Sequence, residues 1–344
     1  MKKRWLAGIL SVVMAMAMTG CGGSSSSGSE GGGSDKAVNL KMSYTTSETS
    51  VWRVACEEFA RLVEEGTDGR YTVSIYANEQ LGGGDMIKGT EMILDGTVDV
   101  DLRSVGNFPN YEPKLNALLM PWLFTDNDDV DAKLFNGEGG QMVKDLVEPL
   151  GVKVLALGEN GFRQVTNSKR PITSPEDMKF LKMRVPTITI WLDTFKILGA
   201  DPTAMSFSEV FTALQQGTID GQENPTDPIL SSKLYEVQKY LTRWNYAYDC
   251  LLLSVSENVW NSLSDEDKIV FEEAAKAACA EQVKQSRAAD VENFKIFEEN
   301  GMEITDLTPE QTAAFQEAVQ PIYDAYREQV TDEVFAAFGY TFDD

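Results

Sequence analysis

The chain contains no histidine. This removes the commonest general base and the commonest transition-metal ligand. Neither a Ser-His-Asp nor a Cys-His site can therefore be built from it. Cysteine is scarce, with Cys21, Cys56, Cys250 and Cys279 the only four. None sits in a Cys-x-x-Cys pair, which argues against a zinc or thiol-redox centre. The three beyond Cys21 allow one disulfide at most, and buried free thiols are the simpler reading. Positive charge is also in short supply, because 30 Lys and Arg face 54 Asp and Glu for a net charge of −24. Phosphate binding needs a basic face, so nucleic acid is not an expected partner. An acidic surface mainly confers solubility, and a local cationic pocket in such a chain would select anions.

The first 36 residues carry a different message. Lys2, Lys3 and Arg4 precede an apolar run from Trp5 to Met18, and Thr19 and Gly20 precede Cys21. A basic start, a short apolar stretch and small residues at the cut are the marks of an export signal. The run is shorter than the roughly 20 helical residues that span a bilayer. A Cys directly after a small-residue pair resembles a bacterial lipoprotein processing site, although Met18 stands where Leu is usual. On that reading residues 1–20 are a signal peptide, Cys21 takes a diacylglycerol, and the protein is held at the outer face of the cytoplasmic membrane. The alternative is a plain secretory signal cut nearby, with Cys21 lost or free. Residues 21–36 are a Gly/Ser-rich tether that should behave as a flexible coil.

The remaining length exceeds one typical domain, so two lobes are expected. Val38, Leu40, Met42 and Tyr44 alternate with polar residues, the period of a strand buried on one face. A helix is predicted over 52–65, strands at 71–75 and 98–102, and a helix over 86–94. This strand–helix alternation argues for an α/β fold. Further strands are predicted at 152–157 and 180–185. Ser206 and Glu209 have the spacing of a capping box for a helix that stops at Gly217. A helical run from Ser264 has no break before Asn300-Gly301, far beyond the mean of about 11–12 residues. Ile269, Phe271, Ala274, Ala275 and Ala278 hold no strict heptad, which favours a brace along two lobes over a coiled coil. Thr308-Pro-Glu-Gln311 caps a last helix.

Two arginines stand where strands end. Arg184, in Leu181-Lys-Met-Arg-Val-Pro186, sits at the carboxyl end of a strand, where open α/β sheets place ligands. Its planar guanidinium can hold a carboxylate through two parallel hydrogen bonds. The bland reading is a surface salt bridge. Arg163 follows another strand end and has the same two readings. Asn224 lies in a Gly- and Pro-bounded loop, Gly217 to Pro225. There it could both donate to and accept from a polar ligand, or simply cap a turn.

These segments together resemble the substrate-binding proteins of tripartite ATP-independent periplasmic (TRAP) transporters. The runs that carry the likeness are Gly161-Phe-Arg-Gln-Val-Thr-Asn-Ser-Lys-Arg-Pro171, Leu181-Lys-Met-Arg-Val-Pro186, Leu198-Gly-Ala-Asp-Pro202, Phe207-Ser-Glu-Val-Phe-Thr-Ala-Leu-Gln-Gln-Gly217 and Asp220-Gly-Gln-Glu-Asn-Pro225. Gln80-Leu-Gly82, Gly96-Thr-Val-Asp99, Val237-Gln-Lys-Tyr240 and Trp260-Asn-Ser-Leu-Ser264 extend it over nearly the whole chain after the tether. The resemblance implies an α/β, two-lobe periplasmic-binding-protein-like clamshell with mixed sheets and a long bracing helix. It implies one lobe from 37–160 with 250–289 and another from 161–249 with 290–344. Arg184 matches the arginine that pairs with the ligand carboxylate, Arg163 a second cation, Asn224 an orienting amide, and Phe207 an aromatic wall.

The chain departs from the family pattern at several points. Tyr246 stands where a His is frequent, Trp244 is unusual, and Arg103 precedes Ser104 where many members are uncharged. Trp244 and Tyr248 could stack on a sugar face or pack in the core. Arg103 could meet a second ligand carboxylate or lie on the surface. Glu48 could accept from ligand hydroxyls. The expectation is an exported, monomeric, lipid-tethered solute-binding protein. It would pass a sugar acid, or alternatively a C4-dicarboxylate, to TRAP membrane subunits, with no catalysis and no cofactor. The rivals are a sensor without a transporter and a surface carbohydrate-active enzyme using paired carboxylates.

Overall fold

The computed structural model describes residues 37–342. The export signal, Cys21 and the tether lie outside the described residues. Eleven strands fall into two sheets. The strands are β1 (Val38–Tyr44), β2 (Tyr71–Tyr76), β3 (Val100–Ser104), β4 (Val152–Phe162), β5 (Gln164–Asn167), β6 (Lys182–Val185), β7 (Asp201–Ala204), β8 (Gly221–Asn224), β9 (Tyr240–Arg243), β10 (Tyr248–Ser256) and β11 (Glu303–Asp306). The first sheet runs β2-β1-β3-β10-β4 and the second β11-β9-β5-β8-β6-β7. Both are mixed. β2, β1 and β3 are parallel and β10 is antiparallel to its neighbours, while β8, β6 and β7 are parallel and β5 is antiparallel to β8 and β9.

The chain passes between the sheets at two adjacent points. β4 hands over to β5 with Arg163 alone between them, and β9 returns to β10 through residues 244–247. The two crossings are tied by a hydrogen bond from the Arg163 N–H to the Ala247 carbonyl, at 2.8 Å. A third connection is the helix Asp265–Glu299. Its first half buries Phe271, Ala274, Ala275 and Ala278 with Leu40, Met42 and Phe59 of the first lobe. Its second half buries Phe294 and Phe297 with Val210, Leu214 and Leu241 of the second. Ile269, predicted among the apolar positions, is instead exposed. One helix with an apolar face for each sheet is a brace, as its length suggested. The C-terminal helices Pro309–Val330 and Asp332–Ala337 lie against elements of both halves.

Three local expectations need correction. Phe180 is not in β6; it sits at φ 65° and is exposed, leaving the strand to begin at Lys182. Asn224 ends strand β8 rather than lying in a loop. Ser206 does precede the helix Phe207–Gln216, but its side chain makes no cap. Its Oγ accepts instead from the Met86 N–H of the other lobe, at 3.4 Å. The cap at Thr308–Gln311 forms as predicted, and Cys56, Cys250 and Cys279 are buried free thiols.

Further contacts cross the cleft. Ser208 Oγ donates to the Gly84 carbonyl at 2.9 Å, and Ser47 Oγ to the Ser231 carbonyl at 3.1 Å. The helix Trp52–Gly66 begins at Val51, which has no side-chain oxygen to cap it. Asp227 supplies the cap from the opposite lobe. Its carboxylate accepts from the Val51 N–H at 3.0 Å and from Ser50 Oγ at 2.5 Å. Losing a capping oxygen costs about 1 kcal/mol. Asp227→Ala should therefore speed amide exchange in the first turn of this helix roughly fivefold. Exchange in its last turn should be unchanged. Equal rates at Val51 in both proteins would show that the cap carries no weight.

Candidate functional site

The parallel strands of both sheets end toward the same place. Thr45 and Thr46 follow β1, Ser104 ends β3, Arg184 and Pro186 lie at the end of β6, and Asn224 ends β8. Ligands in open α/β sheets bind at such carboxyl ends. Between them is a partly open cavity with about 390 Å³ of atom-free space, open solvent included. Trp52, Met86, Ile188, Trp191, Phe207 and Pro228 supply most of its apolar wall. Arg163, Asn107, Asn160 and Asp249 complete its polar part.

The two arginines in this wall differ in one respect. Arg163 is spent. Its Nε and Nη2 bind the Glu223 carboxylate, the latter at 2.8 Å, and its Nη1 donates to Asp249 Oδ2 at 2.8 Å. Nη2 also reaches the Glu223 carbonyl and Asn224 Oδ1. Its face lies 4.3 Å from the Trp191 ring centroid, a cation–π distance. Tyr246, at the position where a His is frequent, donates its hydroxyl to Glu223 at 2.8 Å. These carboxylates keep Arg163 firmly protonated despite burial.

Arg184 is equally buried, at 1 % exposure, yet has no carboxylate. Nε and Nη2 both donate to the Met205 carbonyl, at 2.9 and 2.6 Å. Nη1 has no partner at all. The Phe207 ring lies 5.8 Å away. Burial pulls the Arg184 pKa down to about 9, because an uncompensated charge in a low dielectric disfavours itself. A buried charged donor without a partner is costly, and here it lines the interlobe cavity.

The structure brings Arg184, Arg163, Asn224 and Phe207 to the cavity. It places the other four candidates elsewhere. Arg103 is fully buried in a separate network. It binds Asp101 at 2.9 Å and Glu79 at 2.7 Å, which leaves it nothing for a second ligand carboxylate. Asp101 lies two residues before it on the same side of β3. Burial, reinforced by the nearby Glu79 carboxylate, holds the Asp101 carboxyl above the usual carboxylate range despite Arg103. Trp244 packs in the core against Tyr246, Phe315 and Phe195, with ring centroids 4.8, 5.5 and 5.9 Å away. Tyr248 packs on Phe162 and donates to Glu159. No sugar face can reach either ring. Glu48 is exposed.

Sequence reasoning missed Thr46, Asp249, Asn160 and Trp191. Asn160 links the lobe to the crossing: it donates to Asp249 Oδ2 at 2.7 Å and accepts from Trp52 Nε1 at 3.1 Å. Its position just before Gly161-Phe-Arg163 was a usable signal. Asp249 was another, being a lone carboxylate opening the apolar strand β10.

Two lobes joined at a double crossing, with a cationic cavity between them, define a clamshell solute-binding protein. The chain belongs to the bacterial extracellular solute-binding proteins, family 7, which it matches over residues 42–329. This is an extracytoplasmic family. The 2,3-diketo-L-gulonate-binding periplasmic protein YiaO of Escherichia coli is 35 % identical over 273 residues, 79 % of this chain and 82 % of that one. A TRAP periplasmic solute-binding protein of Polaromonas sp. JS666, bound to D-erythronate, superposes with a TM-score of 0.84 at 35 % identity. The match covers 89 % of this chain and 100 % of that one. One from Shewanella oneidensis with bound succinate gives a TM-score of 0.83 at 30 % identity, over 88 % and 98 % of the two chains.

The contrast between the arginines is testable without any ligand. Removing one partner of a buried ion network costs about 3–5 kcal/mol, whereas replacing an uncompensated charge by an apolar group is neutral or stabilising. Arg163→Met should lower the urea midpoint sharply. Arg184→Met should leave it unchanged or raise it. Equal losses in the two variants would mean that Arg184 is paired after all.

Proposed function

We propose that the protein captures a carboxylate-bearing solute between its lobes and delivers it to the membrane subunits of a TRAP transporter. One observation carries this reading: Arg184 Nη1, buried and unpartnered, at the wall of the interlobe cavity. A carboxylate there would complete the guanidinium's hydrogen bonding and restore its charge balance. Asn224, in the same wall, would orient the same group with the Nδ2 hydrogen not given to Gln222, and Phe207 backs the guanidinium. Arg163 acts at one remove. Held by Glu223 in one lobe and Asp249 in the other, it fixes the crossing and the wall rather than meeting the ligand's charge.

Closure around the ligand excludes water and strengthens the pair with Arg184. The ligand biases the protein toward the closed form by its preference for that form alone. The interlobe bonds of Asp227, Ser206 and Ser208 are the contacts that closure makes. No bond of the ligand is broken. The cavity wall offers one carboxylate, Asp249, where glycosidic hydrolysis needs two. Cys21, lipidated after removal of residues 1–20, would hold the protein at the membrane on the tether 21–36 and so raise its effective concentration at the transporter.

Calorimetry against organic acids tests the site. At least one acid, from a panel that includes D-erythronate and succinate, should bind. Its affinity should fall by about 2–5 kcal/mol in Arg184→Ala. Unchanged affinity in that variant would refute the assignment. The anchor is tested separately by fractionating cells that express the full chain. Wild type should sediment with membranes and Cys21→Ser should be soluble; equal distribution would remove the lipid from the account.

A further inference from the structure

The relatives with bound ligand include a monocarboxylate and a dicarboxylate, so likeness does not choose between them. The charges of this cavity do. We infer that the ligand is a small acid with a single carboxylate, whose remaining oxygens are neutral, and that Thr46 is the residue that selects those oxygens. This rests on Arg184 as carboxylate anchor.

The buried cations near the cleft are Arg184, Arg163 and Arg103. Every N–H of the Arg163 and Arg103 guanidinium heads that the structure pairs goes to Glu223, Asp249 or Asn224 in one case and to Asp101, Glu79 or the Met86 carbonyl in the other. Each of the two is thus shared by two carboxylates, and each network is left with no positive charge to spare. No lysine lines the cavity. Arg184 is the one of the three with no carboxylate in hydrogen-bond contact, so it offers contacts for one ligand carboxylate. A second carboxylate would be buried against Asp249, whose oxygens are already the acceptors for Ser104 at 2.5 Å, Asn160 at 2.7 Å and Arg163 at 2.8 Å. Like charges in a low-dielectric site repel, and an uncompensated one is strongly rejected.

Away from Arg184, most polar groups of the wall are engaged. Thr45 donates to Glu79, Trp52 Nε1 to Asn160, and Asn107 Nδ2 to the Ser104 carbonyl. Thr46 is the exception. It is 2 % exposed, it lines the cavity, and its Oγ1 has no partner. A threonine hydroxyl both donates and accepts, so it suits a neutral hydroxyl or keto oxygen. A buried polar group left unpaired discriminates against a ligand that lacks the matching atom. The cavity is narrow, which favours a compact acid over a large one.

Matched pairs of acids separate these claims. Calorimetry on the full folded protein would compare erythronate and threonate with tartrate, then galactonate with galactarate, and finally butyrate. Within each pair, the acid with one carboxylate should bind at least a hundredfold more tightly than the diacid of the same carbon number. Butyrate, with no hydroxyl, should bind at least tenfold more weakly than the better four-carbon hydroxy acid. Thr46→Val should shrink that last ratio to within threefold, and Thr46→Ser should restore it. If diacids bind as tightly as their partners through Arg184, the single-charge inference is wrong while the carboxylate anchor stands. If Thr46→Val leaves the hydroxy-acid preference intact, the role of Thr46 is wrong. If Arg184→Ala binds the best acid as tightly as wild type, the anchor itself fails, and this inference with it.

Discussion

Everything in the cleft depends on how Arg163 is neutralised. It is the single residue between β4 and β5, so its backbone belongs to the point where the chain leaves one sheet for the other. Its side chain then draws in Glu223 from the second sheet and Asp249 from the first. A buried ion network of this kind is poor evidence of stability, because desolvation consumes much of the Coulombic gain. It does fix geometry, since breaking any member leaves a charge stranded. The crossing, the Asp249 wall and the Asn224 amide are held in register by one guanidinium. That leaves Arg184 as the cavity arginine with no carboxylate in hydrogen-bond contact.

The strand and helix pattern was legible because it depends on local periodicity. β1 forms where its alternation predicts, although Val38 is exposed and Ser43 buried, the long helix runs to the Asn300-Gly301 break, and the cap at Thr308 forms. The errors fall where a distant partner decides. Ser206 has the spacing of a cap, yet Met86 from the other lobe takes its oxygen. Phe180 continues a strand pattern on paper, yet its φ of 65° begins a turn.

The site was half legible, and for the same reason. Asn224 falls in a Gly- and Pro-bounded run that reads as a loop, whereas Arg184 stands at a strand end, a position the sequence can show. Arg103 stands at one too, and its fate was written two residues earlier in Asp101. Residues i and i+2 share a face of a strand, so the pair was readable as an internal salt bridge. Its second partner, Glu79, is remote. Trp244 and Tyr248 read as platforms because aromatics near a ligand segment invite it. Their neighbours, Phe315, Phe195 and Phe162, come from separate parts of the chain and turn both into core. With that argument for a sugar face gone, the case for the ligand has to rest on charge and on Thr46.

The unpaired Arg184 also bears on how a clamshell avoids closing on nothing. In the closed arrangement its guanidinium is stripped of water with both N–H groups of Nη1 unanswered, and burial already pulls its pKa down. That cost falls on the empty closed form alone, because opening would return the charge to solvent. A carboxylate removes it, and the same interlobe bonds from Asp227, Ser206 and Ser208 then act without opposition. Shifting a two-state equilibrium from one extreme to the other needs about 5.5 kcal/mol of differential affinity. A buried charge pair that exists only in the closed, liganded state is of the right size to supply a large part of it. On this account the destabilising feature of the site is the switch: the protein keeps one cation unpaired so that closure has to wait for an anion.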